Sequence, residues 1–93
     1  MPIAVHISPQ HMSRADYERL IAELKASGLD EPEGRRLHAG YGDDDVRMFE
    51  MWESGDHFDA YRDRLFDALE KVGLEGGSVE VHALHSPLPD CRM

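Results

Sequence analysis

Apolar and polar positions alternate through the opening segment "PIAVHI", with Ile3, Val5 and Ile7 on one side and Ala4 and His6 on the other, the period of two of a β-strand. The period then lengthens. Ser13 opens "SRAD", a capping-box variant with Asp16 at the third helical position, and Tyr17, Leu20, Ile21 and Leu24 follow at helical spacing toward Gly28, a residue suited to ending a helix. "LDEPEG" is a turn-rich connector carrying Pro32 and Gly34. Next, "RRLHAGY" and "VRMFEMW" flank the polar turn "GDDD" and predict an antiparallel hairpin. Ser54 caps a second helix, in which Phe58, Tyr61, Leu65, Leu69 and Val72 form one apolar stripe that ends at Gly73. After "EGG", the segment "SVEVHAL" alternates again, and Pro87 and Pro89 stop any further regular strand.

The resulting order is β-α-β-β-α-β, the ferredoxin-like, split-βαβ arrangement of the α+β class: an antiparallel sheet with two helices on one face. One such domain is expected over residues 1–93, with a short irregular tail from about residue 87. In the third strand Val46, Met48, Phe49, Met51 and Trp52 place apolar side chains on both sides, whereas a sheet with one face in water shows alternation. The second face therefore needs cover. Another copy's sheet is the economical source, which predicts a homodimer packed face to face about a two-fold axis.

Charge narrows the partners. With 10 basic and 19 acidic residues the formal net charge is -9, which argues against nucleic acid and anionic membrane surfaces as partners. No apolar run is long enough to span a bilayer and the N-terminus lacks the layout of a signal peptide, so a cytoplasmic protein is expected. The single cysteine, Cys91, lies in the polar tail without an organised neighbour that would make it a nucleophile. "GDDDV" lacks the spaced ligands and distal Glu of a calcium loop and reads as a solvated turn. "HALH" on a strand sends His82 and His85 to opposite faces. No phosphate-binding glycine loop, nucleophile elbow or paired-cysteine motif is present, and neither a metal nor a cofactor is expected.

The segment "MWESGDHFDAY", in which a strand delivers Trp52, Glu53 passes to the surface and Ser54 caps a Phe-bearing helix, resembles the dimeric α/β-barrel superfamily. Within it the likeness is to antibiotic-biosynthesis-monooxygenase-like domains, over roughly Pro2 to Pro87. The resemblance implies a dimeric α/β barrel with a ligand cavity in each subunit between sheet and helices. The superfamily includes cofactor-free quinone-forming monooxygenases, haem-degrading monooxygenases, isomerases and stress-response proteins. Haem-degrading members place a Trp where Trp52 stands, but they also use an Asn near the end of the first strand and a His on the second helix. Here the first strand ends "VHISP", and the helix has no histidine after His57 at its start.

Strand parity then maps the candidate site. Met48, Glu50 and Trp52 share a face, which the resemblance turns toward the helices. A carboxylate at mid-strand in a half-apolar pocket is a common mark of function, and its bland alternative is a buried bridge to Arg36 or a histidine. The strictly apolar Ile3, Val5 and Ile7 are assigned to the dimer interface, leaving His6 facing the helices and able to approach Glu50. His38 is placed toward the cavity, and His82 or His85 completes the set. His6, Glu50 and His38 are thus the candidate catalytic residues, and Trp52, Met48, His82 and His85 the candidate substrate-binding residues. His6, His38 and Glu50 also have ligand types suited to Zn or Fe, but only if all three side chains converge. The expected function is a small-molecule-binding dimer, with a cofactor-independent monooxygenase or isomerase acting on an aromatic or quinone-like substrate as the candidate activity. A non-catalytic structural or interaction dimer is the alternative, and a haem-binding or haem-degrading protein is a lesser one.

Overall fold

The two periods fold as they predict. The computed structural model describes residues 2–84, in the order β1 (Ile3–Gln10), α1 (Arg14–Ala26), β2 (Arg35–Tyr41), β3 (Arg47–Trp52), α2 (Gly55–Lys71) and β4 (Glu75–Ala83). The sheet runs β2-β3-β1-β4 with every neighbouring pair antiparallel, so β1, first in the chain, sits inside the sheet with β3, and β2 and β4 lie at its edges. This is the ferredoxin-like architecture.

Each helix begins where its cap predicts. Ser13 and Asp16 bond each other's backbone N–H groups at 3.1 Å, closing the capping box of α1. Those bonds, with Arg19 beside it, hold the Asp16 carboxyl below the usual carboxylate range. Ser54 accepts from the His57 backbone N–H at the start of α2. Beyond the last turn of each helix, Gly28 and Gly73 take the positive φ that ends a helix.

One cluster makes the core. Leu20 and Leu24 of α1 and Phe58, Tyr61, Leu65 and Leu69 of α2 pack with the strands' inner face. The contributors from β1 are Ile3, Val5 and Ile7, at 9%, 0% and 0% exposure, so they face the helices and not the outer surface to which they were assigned. The reason is energetic: the helix-covered face is the dry one, where aliphatic side chains gain most and where His6 and Ser8 would lose water without replacement partners. Directly paired residues of antiparallel strands share a face, so this parity fixes its neighbours. Val5 lies opposite Glu50, and His6 lies opposite Phe49.

β4 starts at Glu75, earlier than the alternation from Ser78 suggests, because its first residues pair back toward Gln10 across a register shift that adds a residue to β4 opposite Ser8–Gln10. Gly77 allows this. Its φ is +65°, and a Cβ there would lie 1.9 Å from the Ser8 carbonyl oxygen. The sheet's outer face retains Leu37 at 42% and Tyr41 at 45% exposure beside half-buried Phe49 and Met51. No helix among the described residues is long and apolar enough to cross a membrane. Truncating Leu65, 1% exposed at the centre of the α2 stripe, should destabilise the fold by about 2–5 kcal/mol, read as a lower urea midpoint for Leu65→Ala.

Candidate functional site

Glu50 is the one buried charged residue of the core described, with 0% exposure at the middle of β3. Three donors converge on it. His38, its direct partner on β2, places Nδ1 2.6 Å from Oε2; Arg35 donates from Nη1 to the same oxygen at 3.3 Å; and Trp52 donates from Nε1 to Oε1 at 3.0 Å. Trp52 reaches because it lies two residues farther along the same strand face. Arg35 reaches for a less regular reason. A β-bulge between Arg35 and Leu37 adds a residue to β2 opposite Trp52, so Arg35 returns to the inner face beside His38. Strict alternation would have put Arg36 there. Instead Arg36 points outward to Glu53, at 3.2 Å and 64% side-chain exposure.

The network continues to α1. The Tyr17 hydroxyl lies 2.8 Å from His38 Nε2, giving the chain Tyr17–His38–Glu50. Gly40 makes room for it: a Cβ at that position would come within 2.5 Å of Tyr17 Cζ. Burial, reinforced by the Glu50 charge and partly offset by Arg35, raises the Tyr17 pKa above the ordinary tyrosine value. The second Arg35 guanidinium nitrogen donates to the Asp30 backbone carbonyl, tying the α1–β2 connector to the site.

Between α1, the connector and β2 lies an open cleft of about 910 Å³. Tyr17, Arg35 and His38 are among its polar lining, which also carries exposed charged side chains, and Ile21, Leu24 and Leu37 contribute apolar surface. A smaller cleft of about 330 Å³ lies beyond the connector, where Tyr61, His57 and Arg64 contribute to its walls. Tyr61 is 3% exposed, its ring packs 5.2 Å from that of Trp52, and its buried hydroxyl has no hydrogen-bond partner among the described residues. Burial, with the Glu50 charge adding, pushes the Tyr61 pKa far up.

The candidate residues separate into two faces. His38 and Glu50 meet as the strand map requires. His6 does not approach them: it lies on the outer face, its ring edge-on to Phe49 at 5.0 Å and its Nδ1 3.5 Å from the Tyr41 hydroxyl. His82 pairs in register with Ala4, so it too lies on the outer side, 60% exposed and 3.5 Å from Glu80. Both departures follow from the one reversed parity of β1. Met48 and Trp52 lie on the inner face as expected, but at 0% exposure they are core behind the cleft and line neither cavity. His85 and Cys91 fall outside the described residues. No group of three or more His, Cys, Asp or Glu side chains among the described residues is arranged to hold a metal, since His6 stands across the sheet from His38 and Glu50. Tyr17, whose spacing placed it in the helical stripe with packing as its first role, and Arg35 were not among the candidate site residues; Gly40 inside a strand was the available signal for a close approach, and nothing local marked the bulge.

Solved structures share the fold. Rv0793 from Mycobacterium tuberculosis superposes with a TM-score of 0.63 at 22% identity, covering 95% of this chain and 99% of its own. A protein from Deinococcus radiodurans named for the antibiotic biosynthesis monooxygenases gives 0.61 at 13% identity, covering 95% of this chain and 96% of its own. The chain has the antibiotic-biosynthesis-monooxygenase-like fold. A monooxygenase of Streptomyces coelicolor from the gene ActVA-Orf6, solved in complex with nanaomycin D, gives 0.54 at 18% identity, covering 96% of this chain and 92% of its own. No protein-family model matches the sequence, and no curated protein does. At these identities the likeness is one of fold, and within that fold the chemistry rests on this chain's own side chains.

Two outcomes test the electrostatics. Glu50→Ala leaves Arg35 and the Trp52 indole N–H without their buried acceptor and should cost about 3–5 kcal/mol by urea denaturation, well beyond an exposed-pair control such as Glu53→Ala. Tyr61 keeps its proton to higher pH folded than unfolded, so its stabilising contribution is complete below about pH 10 and is lost as pH rises above that value. Tyr61→Phe should therefore equal or exceed the parent in stability at neutral pH and lose less between neutral and alkaline solution, as read by thermal melts.

Proposed function

We propose that the cleft between α1 and β2 binds an aromatic, quinone-like small molecule, and that the protein acts on it as a cofactor-independent monooxygenase. The observation that carries the reading is the Tyr17–His38–Glu50 chain, whose carboxylate end is buried and whose phenol end lines a cleft with apolar walls. Glu50 fixes the imidazole with Nδ1 as donor, which leaves Nε2 as the basic nitrogen on the cleft side. The fold-level neighbours named as monooxygenases, one of them bound to nanaomycin D, support the same class.

The chemistry balances without an added reductant. A proton from the substrate's phenolic or activated methylene group passes toward His38, and the electron-rich anion adds to O2 through carbon, forming a C–O bond. The resulting peroxide takes a proton, its O–O bond breaks as the remaining C–H is lost, and water leaves; the ring CH2 becomes C=O, four electrons pass to O2, and CH2 plus O2 gives C=O plus H2O. The protein contributes a positioned base and a partly dry, oriented cleft.

The sheet's outer face supports a homodimer within the same proposal. Leu37 and Tyr41 stand exposed there beside Phe49 and Met51, and a second copy's sheet packed about a two-fold axis would cover them. An interaction dimer without turnover draws on this same surface.

Oxygen uptake with 1,8-dihydroxyanthrone as probe, and formation of the corresponding anthraquinone, tests the activity. The parent should exceed the uncatalysed rate, and His38→Gln should lower kcat by roughly 10²–10⁴-fold; an unaltered rate in that variant would remove His38 from the chemistry. Sedimentation should give a dimer for the parent and a monomer for Leu37→Asp, whereas a monomeric parent would exclude the face-to-face assembly.

A further inference from the structure

The hydrogen-bond directions at the cleft are set from its buried end. Glu50 as carboxylate only accepts, and its three donors are the Arg35 guanidinium, the Trp52 indole and His38 Nδ1. A neutral His38 that donates from Nδ1 has an acceptor at Nε2. The Tyr17 hydroxyl, 2.8 Å away, donates its single hydrogen there. Toward the cleft, Tyr17 then offers only oxygen lone pairs, while its hydrogen occupies the lone pair of His38 Nε2. Its raised pKa keeps that hydrogen on the phenol in the resting protein.

Both arginines of the cleft are already committed. Arg35 is spent on Glu50 and on the Asp30 carbonyl, and Arg36 pairs with Glu53. Lys25 lies exposed in the lining, along with the acids Glu18 and Glu31. Among the described lining residues the acids Glu18, Asp30 and Glu31 thus outnumber the one unpaired cation, Lys25, which disfavours a carboxylate.

We infer that Tyr17, rather than His38, is the catalytic residue that meets the substrate, as a hydrogen-bond acceptor, and that the site therefore selects neutral polycyclic phenols over their ethers and over aromatic carboxylates. The inference rests on the cleft being the ligand site proposed above. In the proton step the substrate O–H bond breaks and its proton goes to the Tyr17 oxygen, while the Tyr17 proton moves to His38 Nε2. The products are a phenolate in the cleft and an imidazolium paired with Glu50, with no net change in charge.

Calorimetric binding of 2-naphthol, 2-methoxynaphthalene and 2-naphthoate to the parent and to Tyr17→Phe tests this. The parent should bind the naphthol roughly tenfold more tightly than the ether, as one hydrogen bond allows, and more tightly than the carboxylate. Tyr17→Phe keeps the ring that packs on Gly40 and should bring the naphthol to the ether's affinity. A preference for the naphthol that survives in Tyr17→Phe, equal binding of naphthol and ether by the parent, or tighter binding of the carboxylate overturns the inference while leaving the cleft a ligand site. No binding of any of the three to the parent overturns the proposed function and this inference together. Nitrogen NMR of His38 in the unliganded parent gives a check that needs no variant: the proton is expected on Nδ1, and a proton on Nε2 with Nδ1 bare overturns the assignment.

Discussion

A carboxylate buried in the middle of a sheet has to be surrounded by donors, and the region around Glu50 is organised by that requirement. Removing such a charge from water costs several kcal/mol, which only close partners offset. One partner comes from its own strand, Trp52, and two from the neighbouring strand, His38 and Arg35. Arg35 reaches the inner face only because β2 carries an extra residue, so the bulge at the start of that strand is the backbone's answer to the buried charge. Through the Asp30 carbonyl the same arginine also fixes the connector that walls the cleft.

The network is polarised from inside to outside. Its inner end is enclosed by aromatic side chains: Trp52 lies edge-on to Phe58 at 5.6 Å and tilted against Tyr61. Its outer end is the Tyr17 oxygen on the cleft. Tyr17 sits on α1 and His38 on β2, elements far apart in sequence, and Gly40 keeps the strand low enough for the tyrosine ring to lie over it. Packing at one glycine thus sets the geometry of the Tyr17–His38 hydrogen bond. Neither Trp52 nor Met48 touches a ligand in this arrangement; Trp52 acts from behind, as a donor that helps fix the carboxylate.

Several parts of this were legible in advance. The change of period from two to helical spacing and back gave the element order, and Ser13 and Ser54 marked both helix starts. Met48, Glu50 and Trp52 were placed on the inner face, with His38 turned toward the cavity. What failed was a single choice, the parity of β1. Assigning Ile3, Val5 and Ile7 outward carried His6 inward; the observed parity puts His6 on the outer face, and its register puts His82, one of the two candidates from β4, there as well. An alternating strand has two faces of known composition, but the pattern alone does not say which one the helices cover when both neighbours are partly apolar.

Sequence by itself determined the fold class, because hydrophobic periodicity and caps act over a few residues and are written in consecutive positions. It also determined that Glu50 and Trp52 share a face, since that follows from spacing within one strand. Tertiary structure decided the rest of the site. The pairing of Arg35 instead of Arg36 with Glu50 depends on a bulge whose position is set by two strands together, and the Tyr17–His38 contact depends on how α1 lies across β2. Those are properties of packing between distant segments, where a shift of one residue reverses a side chain's direction, and no local pattern encodes them.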